Sequence, residues 1–393
     1  MRVEVTSISR DLRYELRDLI DTIKKILREN TVKCFEIDRL SEEDLKIIKS
    51  LELLGCKYIY TCEKDFPERL SLEELGFYED ISPHPYKVFR DVEELLHRNW
   101  PTPLVRLRSL SDERRIVWAK LEYYNPFSMS IKDRIGWYMF KKFIEKNPTP
   151  HNKTLYEATS TNTGMALAAM ANLYNFSATL FLPQTIQRAS DTLLEVMGAR
   201  VERRPETITI EMIDEVDQKA KSLGGVHLNQ FFNDANFEVH LRYTAKELDL
   251  QIRSGMLRLR GIIAGIGTSG HFSALTLYFK SRYGEHIKTY AVQPAVGETI
   301  PGIRRIETGM KWIHMISYDS VIDVRLGEAL REAVNIARRE GILVGLSSGA
   351  VVAAYKRLRE ENRLEEGDYV LIFPDHGFKY VEQFNKYLSR EIV

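Results

Sequence analysis

Asn125-Pro126-Phe127-Ser128-Met129-Ser130-Ile131-Lys132-Asp133-Arg134 is the stretch on which the reading of the chain turns. Its Asn-Pro dipeptide ends whatever element precedes it. Beyond it, Ile131, Ile135, Tyr138 or Met139, and Phe143 recur at steps of three and four, which predicts an amphipathic helix. Lys132 then falls at or near a helix N-terminus. The macrodipole is positive there and disfavours an ammonium group, so the free amine becomes easier to use, as a Schiff-base lysine requires. Taken alone, Lys132 is better read as a surface lysine snorkelling beside Asp133 and Arg134. The decision comes from the rest of the chain.

Outward from this stretch, strand and helix patterns alternate. Strands are expected at 117–122, 154–158, 178–183, 200–203, 225–228, 261–264, 288–293, 342–344 and 368–373. Helices are expected at 164–174, 189–197, 209–222, 271–282, 326–340 and 348–361. Such alternation predicts an α/β protein built from right-handed βαβ units and mostly parallel sheets. Residues 1–95 form a distinct opening segment. It has a helical pattern over 11–29, a second helix from Ser41 with Gly55 as its stop, and a strand at 58–62. Nothing in it looks catalytic, and it reads as an accessory cap or an oligomer-forming segment.

The 393 residues carry 56 Lys+Arg against 56 Asp+Glu. This balance offers no general attraction to nucleic acid or an anionic membrane. The absence of a run of about 18 apolar residues argues against a membrane span, and Met1-Arg2-Val3-Glu4-Val5 lacks the apolar run of a signal peptide. The three cysteines, Cys34, Cys56 and Cys62, are an odd, sparse set. They predict a reducing cytoplasm rather than a disulfide framework, and without a histidine partner they predict no metal site.

Several loops carry chemistry. Thr159-Ser160-Thr161-Asn162-Thr163-Gly164 joins a strand to a helix, and its donors together with the free N–H groups of the helix start suit a carboxylate. One hydroxyl would suffice as an N-cap. Gly265-Ile266-Gly267-Thr268-Ser269-Gly270-His271 has glycines that admit a phosphate to backbone N–H groups. A dinucleotide fold would want an acid at the end of the next strand; Gln293 stands there, so the loop reads as a phosphate cup. Gly345-Leu346-Ser347-Ser348-Gly349 could offer a hydroxyl to a ring nitrogen or simply cap a helix. Asn229-Gln230-Phe231-Phe232-Asn233-Asp234-Ala235-Asn236 suits turn chemistry. Glu298-Thr299-Ile300-Pro301-Gly302-Ile303-Arg304-Arg305 places two guanidinium groups after a turn, each fit for phosphate, carboxylate or a structural ion pair. Together these parts could hold pyridoxal phosphate and an amino acid.

The order Ser130-Ile131-Lys132-Asp133-Arg134, Thr159 to Gly164, Gly267-Thr268-Ser269-Gly270-His271 and Gly345 to Gly349 resembles the fold type II pyridoxal-phosphate enzymes of the cysteine synthase and cystathionine β-synthase family, over about residues 96–385. Thr161, where that family usually has glycine, and Thr268-Ser269-Gly270-His271, in place of its doubled glycine, depart from the pattern. A closer resemblance is to the archaeal-type O-phosphoserine sulfhydrylases, in the opening segment and in Gln293-Pro294-Ala295 through Ile303-Arg304-Arg305 to Met310.

The resemblance implies a tryptophan synthase β-like fold of two doubly wound α/β domains with the cofactor between them. Residues 126–240 would form the small substrate domain, 96–125 with 241–393 the large cofactor domain, and 1–95 an extension. It implies Lys132 as Schiff-base lysine and general base. Asn162 would meet the cofactor ring oxygen, Gly267, Thr268, Ser269, Gly270 and His271 its phosphate, and Ser347 its pyridine nitrogen. Thr159, Ser160, Thr163 and Gln230 would hold the substrate carboxylate or shape its pocket, and Arg304, with Arg305 as the alternative, would read the substrate phosphate. The implied reaction makes L-cysteine from O-phospho-L-serine and sulfide via an α-aminoacrylate. The alternatives are an O-acetylserine sulfhydrylase and a cystathionine β-synthase using serine and homocysteine. A cytoplasmic homodimer acting on small molecules is the expected form.

Overall fold

The computed structural model describes residues 1–63, 67–147 and 153–391. Two parallel sheets carry the body. The larger has six strands in the order Ser320–Val324, Lys288–Pro294, Leu259–Gly265, Gly367–Phe373, Arg115–Leu121, Leu104–Arg106. The first five run parallel, and the last is an antiparallel edge. Its central strands are almost wholly buried, as expected for sheets covered on both faces. The smaller sheet is Thr154–Ala158, Ser177–Pro183 and Arg200–Arg204, all parallel. The predicted alternation is therefore the observed one, within a few residues at most element ends.

Two expected strands shrink to single bridges. Val226 pairs only with Leu155, because Glu157 then captures the N–H groups of Asn229 and Gln230, each at 3.0 Å, and turns the chain away. At 342–344 only Val344 pairs, with His376, before the helix Leu346–Glu360 begins. Elements without a clear pattern in the sequence also appear. They include the strand Ser320–Val324, the C-terminal helix Val381–Glu391, and a run of helix from Ala235–Val239 through a π-helical turn, His240–Thr244, into Ala245–Ser254.

The helix Lys132–Lys146 is fixed from below by buried charge. Arg134 donates to Glu122 at 2.6 Å and to Glu247 at 2.6 Å, and Lys120 meets Glu247 at 3.3 Å; all four side chains are fully buried. Thr102 Oγ1 and Asn125 Nδ2 complete the shell of Glu122, and the Arg134 guanidinium lies 4.2 Å over the Trp100 ring.

The opening segment is docked on the body. Leu19, Ile23 and Leu27 of the helix Leu16–Glu29 share one core with Leu275, Tyr278 and Phe279 of the helix Gly270–Tyr283. Asp249 accepts hydroxyls from Tyr78 at 2.6 Å, Tyr278 at 2.7 Å, and Tyr283. Lys246, its pKa pulled down to about 7 by burial, donates to the carbonyls of Leu54 and Phe77. Ser41 caps the helix Glu42–Leu53 through a reciprocal pair with Asp44.

The cysteine expectation is corrected here. Cys34 and Cys62 form a disulfide with Cα atoms 5.1 Å apart, while Cys56 stays free and buried. The pairing of Phe35 with Thr61 brings together two cysteines 28 residues apart, which spacing alone does not reveal. Cysteine usage thus gives no argument for a reducing compartment. Among the described residues no helix is long and apolar enough to cross a membrane, and no cluster of His, Cys, Asp or Glu has the form of a metal site.

Two stability outcomes follow from these contacts. Arg134→Met strips two buried carboxylates of their main partner and is expected to cost about 3–5 kcal/mol, read as a lower urea midpoint with unchanged slope. Tyr78→Phe removes one bond to Asp249 and is expected to cost about 1–2 kcal/mol, with faster proteolytic cleavage confined to residues 1–95.

Candidate active site

The lysine loop is held open by its own neighbours. Asp133 turns back and accepts the N–H groups of Phe127 at 2.7 Å and Ser128 at 2.9 Å, together with the Ser128 hydroxyl. Burial nevertheless pushes its pKa up to about 6. Met129 adopts φ +50°, and Lys379 donates to the carbonyl of Ser128 at 2.6 Å. Asp133 and Arg134 are thus buried supports, not surface partners of a snorkelling lysine.

Lys132 is the first residue of its helix, as the spacing predicts. Its pKa is lowered to about 8, foremost by burial, then by the nearby charge of Arg304, with Asp375 pulling the other way. The direction agrees with the sequence argument; the causes resolved are burial and a neighbouring cation.

The phosphate loop faces this amine. A Cβ built on Gly267 would lie 2.7 Å from the Gly302 carbonyl and 4.0 Å from Lys132 Nζ, so only a glycine leaves room there. Ser269 sits in the left-handed region at φ +73° and caps the helix Gly270–Tyr283 without a side-chain bond, leaving the first N–H groups of that helix free. The buried Ser269 Oγ and His271 Nε2 have no partner among the described residues. Burial and Lys132 hold His271 down to about 3, hence neutral. Asn236 Nδ2 donates to Thr268 Oγ1 at 3.0 Å and to the Gln230 carbonyl at 2.7 Å. A hydroxyl that accepts at its oxygen keeps its own proton for another acceptor. Free N–H groups at a helix start, unpartnered buried donors and a cradle that a Cβ would fill suit a phosphate.

Opposite stands the loop before the helix Thr161–Leu173. Ser160 occupies the N-cap position but makes no capping bond, so its hydroxyl remains available. Thr163 Oγ1 donates to Gln230 Oε1 at 2.8 Å, and Gln230 donates to the Ala158 carbonyl at 3.1 Å. Thr159 donates to the Ser160 carbonyl at 2.8 Å. Thr161, the departure from glycine, has its hydroxyl 2.6 Å from that of Ser190. Asn162 Nδ2 donates to Asp375 at 2.9 Å, while its Oδ1 is buried without a partner. Ser347 is buried in the first turn of the helix Leu346–Glu360, and its Oγ lies 3.6 Å from a Cβ built on Gly302.

The two arginines separate cleanly. Arg305 pairs with Asp323 at 3.0 Å and Glu307 at 2.9 Å. Arg304 has no carboxylate partner among the described residues. It donates to the carbonyls of Gly267 at 2.7 Å and Gly309 at 2.8 Å and to Thr308 Oγ1 at 3.2 Å, and lies 4.8 Å over the Phe231 ring. Burial alone lowers its pKa to about 10.

Contacts thus join Thr163, Gln230, Asn236 and Thr268 in one chain, bring Asn162 to Asp375 beside the lysine loop, and set Gly267 near Lys132, Gly302 and Arg304. Sequence reasoning missed two participants: Asn236, read as a turn residue within an amide-rich stretch, and Asp375, which no motif flagged. Two cavities of 510 and 1220 Å³ lie elsewhere, one lined by Trp137, Lys141 and Tyr243, the other by Tyr14, Leu16 and Glu238; neither contains a predicted site residue.

Residues 95–375 match the family described as pyridoxal-phosphate dependent enzyme. A cysteine synthase of Buchnera aphidicola subsp. Schizaphis graminum is 32% identical over 312 residues, 74% of this chain and 95% of its own. Cysteine synthase A of Salmonella typhi is 33% identical over 302 residues, 71% of this chain and 91% of its own. Among solved structures, an O-acetylserine dependent cystathionine beta-synthase from Helicobacter pylori superposes with a TM-score of 0.67 at 25% identity, covering 75% of this chain and 98% of that one. A hydrogen sulfide-producing enzyme from Fusobacterium nucleatum does so with a TM-score of 0.67 at 25% identity, covering 75% and 100%. The chain belongs to the pyridoxal-phosphate dependent enzymes of fold type II, within the cysteine synthase family.

Proposed function

We propose that the protein makes L-cysteine by β-replacement on O-phospho-L-serine, with sulfide as the incoming nucleophile. The observation that carries the choice of leaving group is Arg304, a guanidinium in the cleft with no acid beside it. A phosphate monoester brings the charge that this cation lacks, and an acetyl ester does not. Its bonds to the Gly267 carbonyl, to the Thr308 carbonyl and hydroxyl and to the Gly309 carbonyl leave one N–H of Nη2 for a substrate.

Lys132 would hold the cofactor through its amine. Gly267, Thr268, Ser269, Gly270 and His271 would hold its phosphate, Asn162 its ring oxygen and Ser347 its ring nitrogen. When bound, pyridoxal phosphate supplies an electron sink for bond breaking at the substrate Cα. Thr159, Ser160, Thr163 and Gln230 seat the substrate carboxylate. Lys132, as the free amine, takes the Cα proton and later returns it. Arg304 steadies the charge on the phosphate leaving from Cβ, where sulfide then bonds. Ser347 offers a neutral hydroxyl, which, unlike a carboxylate, does not favour a protonated ring; this suits β-elimination over transamination. We read residues 126–240 as the small unit bearing the substrate seat and 96–125 with 241–393 as the large one, 392–393 lying outside the described residues. The resemblance to the O-phosphoserine sulfhydrylases supports a cytoplasmic homodimer.

A panel of O-phosphoserine, O-acetylserine and serine with sulfide tests the reading. The wild type should favour O-phosphoserine, and a preference for either other donor overturns it. Arg304→Ala should lower kcat/KM for O-phosphoserine by roughly 10- to 100-fold, the loss of a charge-assisted contact, and that for O-acetylserine far less; equal losses would remove Arg304 as the phosphate reader. Lys132→Ala should abolish the visible absorbance of the purified protein. Because the ammonium form of Lys132 predominates below about pH 8, cofactor uptake by stripped wild-type protein should quicken as pH rises from 6.5 to 8 and level off above it. A flat profile over that range would contradict the assignment.

A further inference from the structure

The strand Gly367–Phe373 delivers Pro374 and Asp375 to the place where three loops of the cleft meet. The Ile131 N–H donates to the Pro374 carbonyl at 2.8 Å, and Ser130 pairs with Asp375 in an antiparallel bridge. The Gly345 N–H donates to the Asp375 carbonyl at 3.0 Å. A Cβ on Gly345 would stand 1.9 Å from Asp375 Oδ1, so the carboxylate is pressed against the start of the helix that carries Ser347. Its Oδ2 accepts Asn162 Nδ2 at 2.9 Å and the Tyr380 hydroxyl. Asp375 is 1% exposed, and its Oδ1 has no hydrogen-bond partner among the described residues.

The chemistry of these groups restricts the asparagine. A carboxylate can only accept, so Asn162 must turn its NH₂ group toward Asp375. Swapping nitrogen and oxygen would set the amide oxygen against the carboxylate. With one of its two hydrogens given to Asp375, the second is set in direction. Asp375 pairs with Ser130, two positions before Lys132, and from there its charge favours the Lys132 ammonium where Arg304 opposes it. Other charged groups around Lys132 are committed or neutral. Asp133 is tied to the amides of Phe127 and Ser128, and Arg134 to Glu122 and Glu247. His271 and, behind it, His240 are held neutral by burial. Lys379 is bonded to the Ser128 carbonyl.

We propose that Asp375 is the positioning residue of this site: it fixes the Asn162 amide so that its second N–H meets the cofactor ring oxygen, and it sets a negative charge against the loop that carries Lys132. The proposal rests on the reading of Lys132 as the cofactor lysine. Visible absorbance of the wild-type protein checks that reading separately, whatever the Asp375 variants do.

The test is a pH titration of the visible absorbance of the holoenzyme, together with cofactor loss on dilution and thermal unfolding. Asp375→Asn keeps an oxygen that can accept from Asn162 but removes the charge. It should move the absorbance midpoint to lower pH by about one unit with little change in cofactor retention. Asp375→Ala removes both, and should shift the midpoint likewise and release the cofactor about tenfold faster, the loss of a bond to a charged group. Tyr380→Phe, which removes the other donor to Oδ2, should leave the midpoint in place. If both Asp375 variants titrate and retain cofactor like the wild type and differ only in thermal stability, Asp375 is structural and the proposal fails. Should Asp375→Ala not fold, Asp375→Asn decides: an unmoved midpoint overturns the proposal.

Discussion

The helix that begins at Lys132 rests on a fully buried cluster of charges. Arg134, Lys120, Glu122 and Glu247 meet with no exposure to solvent. They tie the end of a central strand, the first turn of the lysine helix and the helix Ala245–Ser254 into one block. Buried ion pairs add little net stability compared with a well-packed apolar core, but breaking one is costly. Their effect here is geometric. Arg134 sits two residues from Lys132, so the amine is presented from a helix whose position four fully paired charges define.

Above that block the cleft is arranged by contrast. Most polar groups in it are satisfied by one another: Thr163 by Gln230, Thr268 by Asn236, Asp133 by the turn it encloses. The exceptions are informative. Ser269 Oγ, His271 Nε2, Asn162 Oδ1, Asn236 Oδ1 and Asp375 Oδ1 are buried without partners among the described residues, and Arg304 carries a charge with no acid beside it. Buried polar groups in native proteins are nearly always bonded, so unsatisfied groups gathered around a lysine mark where a ligand completes the structure. Lys132 feels burial and Arg304 on one side and Asp375 on the other, a balance of opposing influences that suits a group which must gain and lose a proton near neutrality.

Much of this was legible in the sequence because its signals are local. The period of Ile131, Ile135 and Phe143, the glycines of 265–270 and the hydroxyl run of 159–163 each report on backbone within one turn of themselves. What stayed hidden depends on distant partners. Asp375 acquires meaning only when Asn162, Gly345 and Lys132 come together from three loops. Cys34 and Cys62 look unrelated until a bridge between Phe35 and Thr61 aligns them. The helical run from Ala235 to Ser254 buries polar residues such as Asn236, His240, Lys246 and Glu247, so it shows no clean apolar stripe. The expected strand at 342–344 has the right residues, but its neighbour leaves room for a single bridge.

The turn that carries Arg304 is sewn to the phosphate loop by its backbone. The Arg304 N–H donates to the Ile266 carbonyl at 2.8 Å, its Nε donates to the Gly267 carbonyl, and Gly302 approaches Gly267 too closely to admit a side chain. The turn that bears Arg304 and the glycine loop 265–270 are therefore one mechanical unit. The Arg304 side chain thus also braces the Gly267 carbonyl through its Nε. A shift of the turn 300–305 is therefore expected to move the loop 265–270 with it, the two travelling as one piece of backbone.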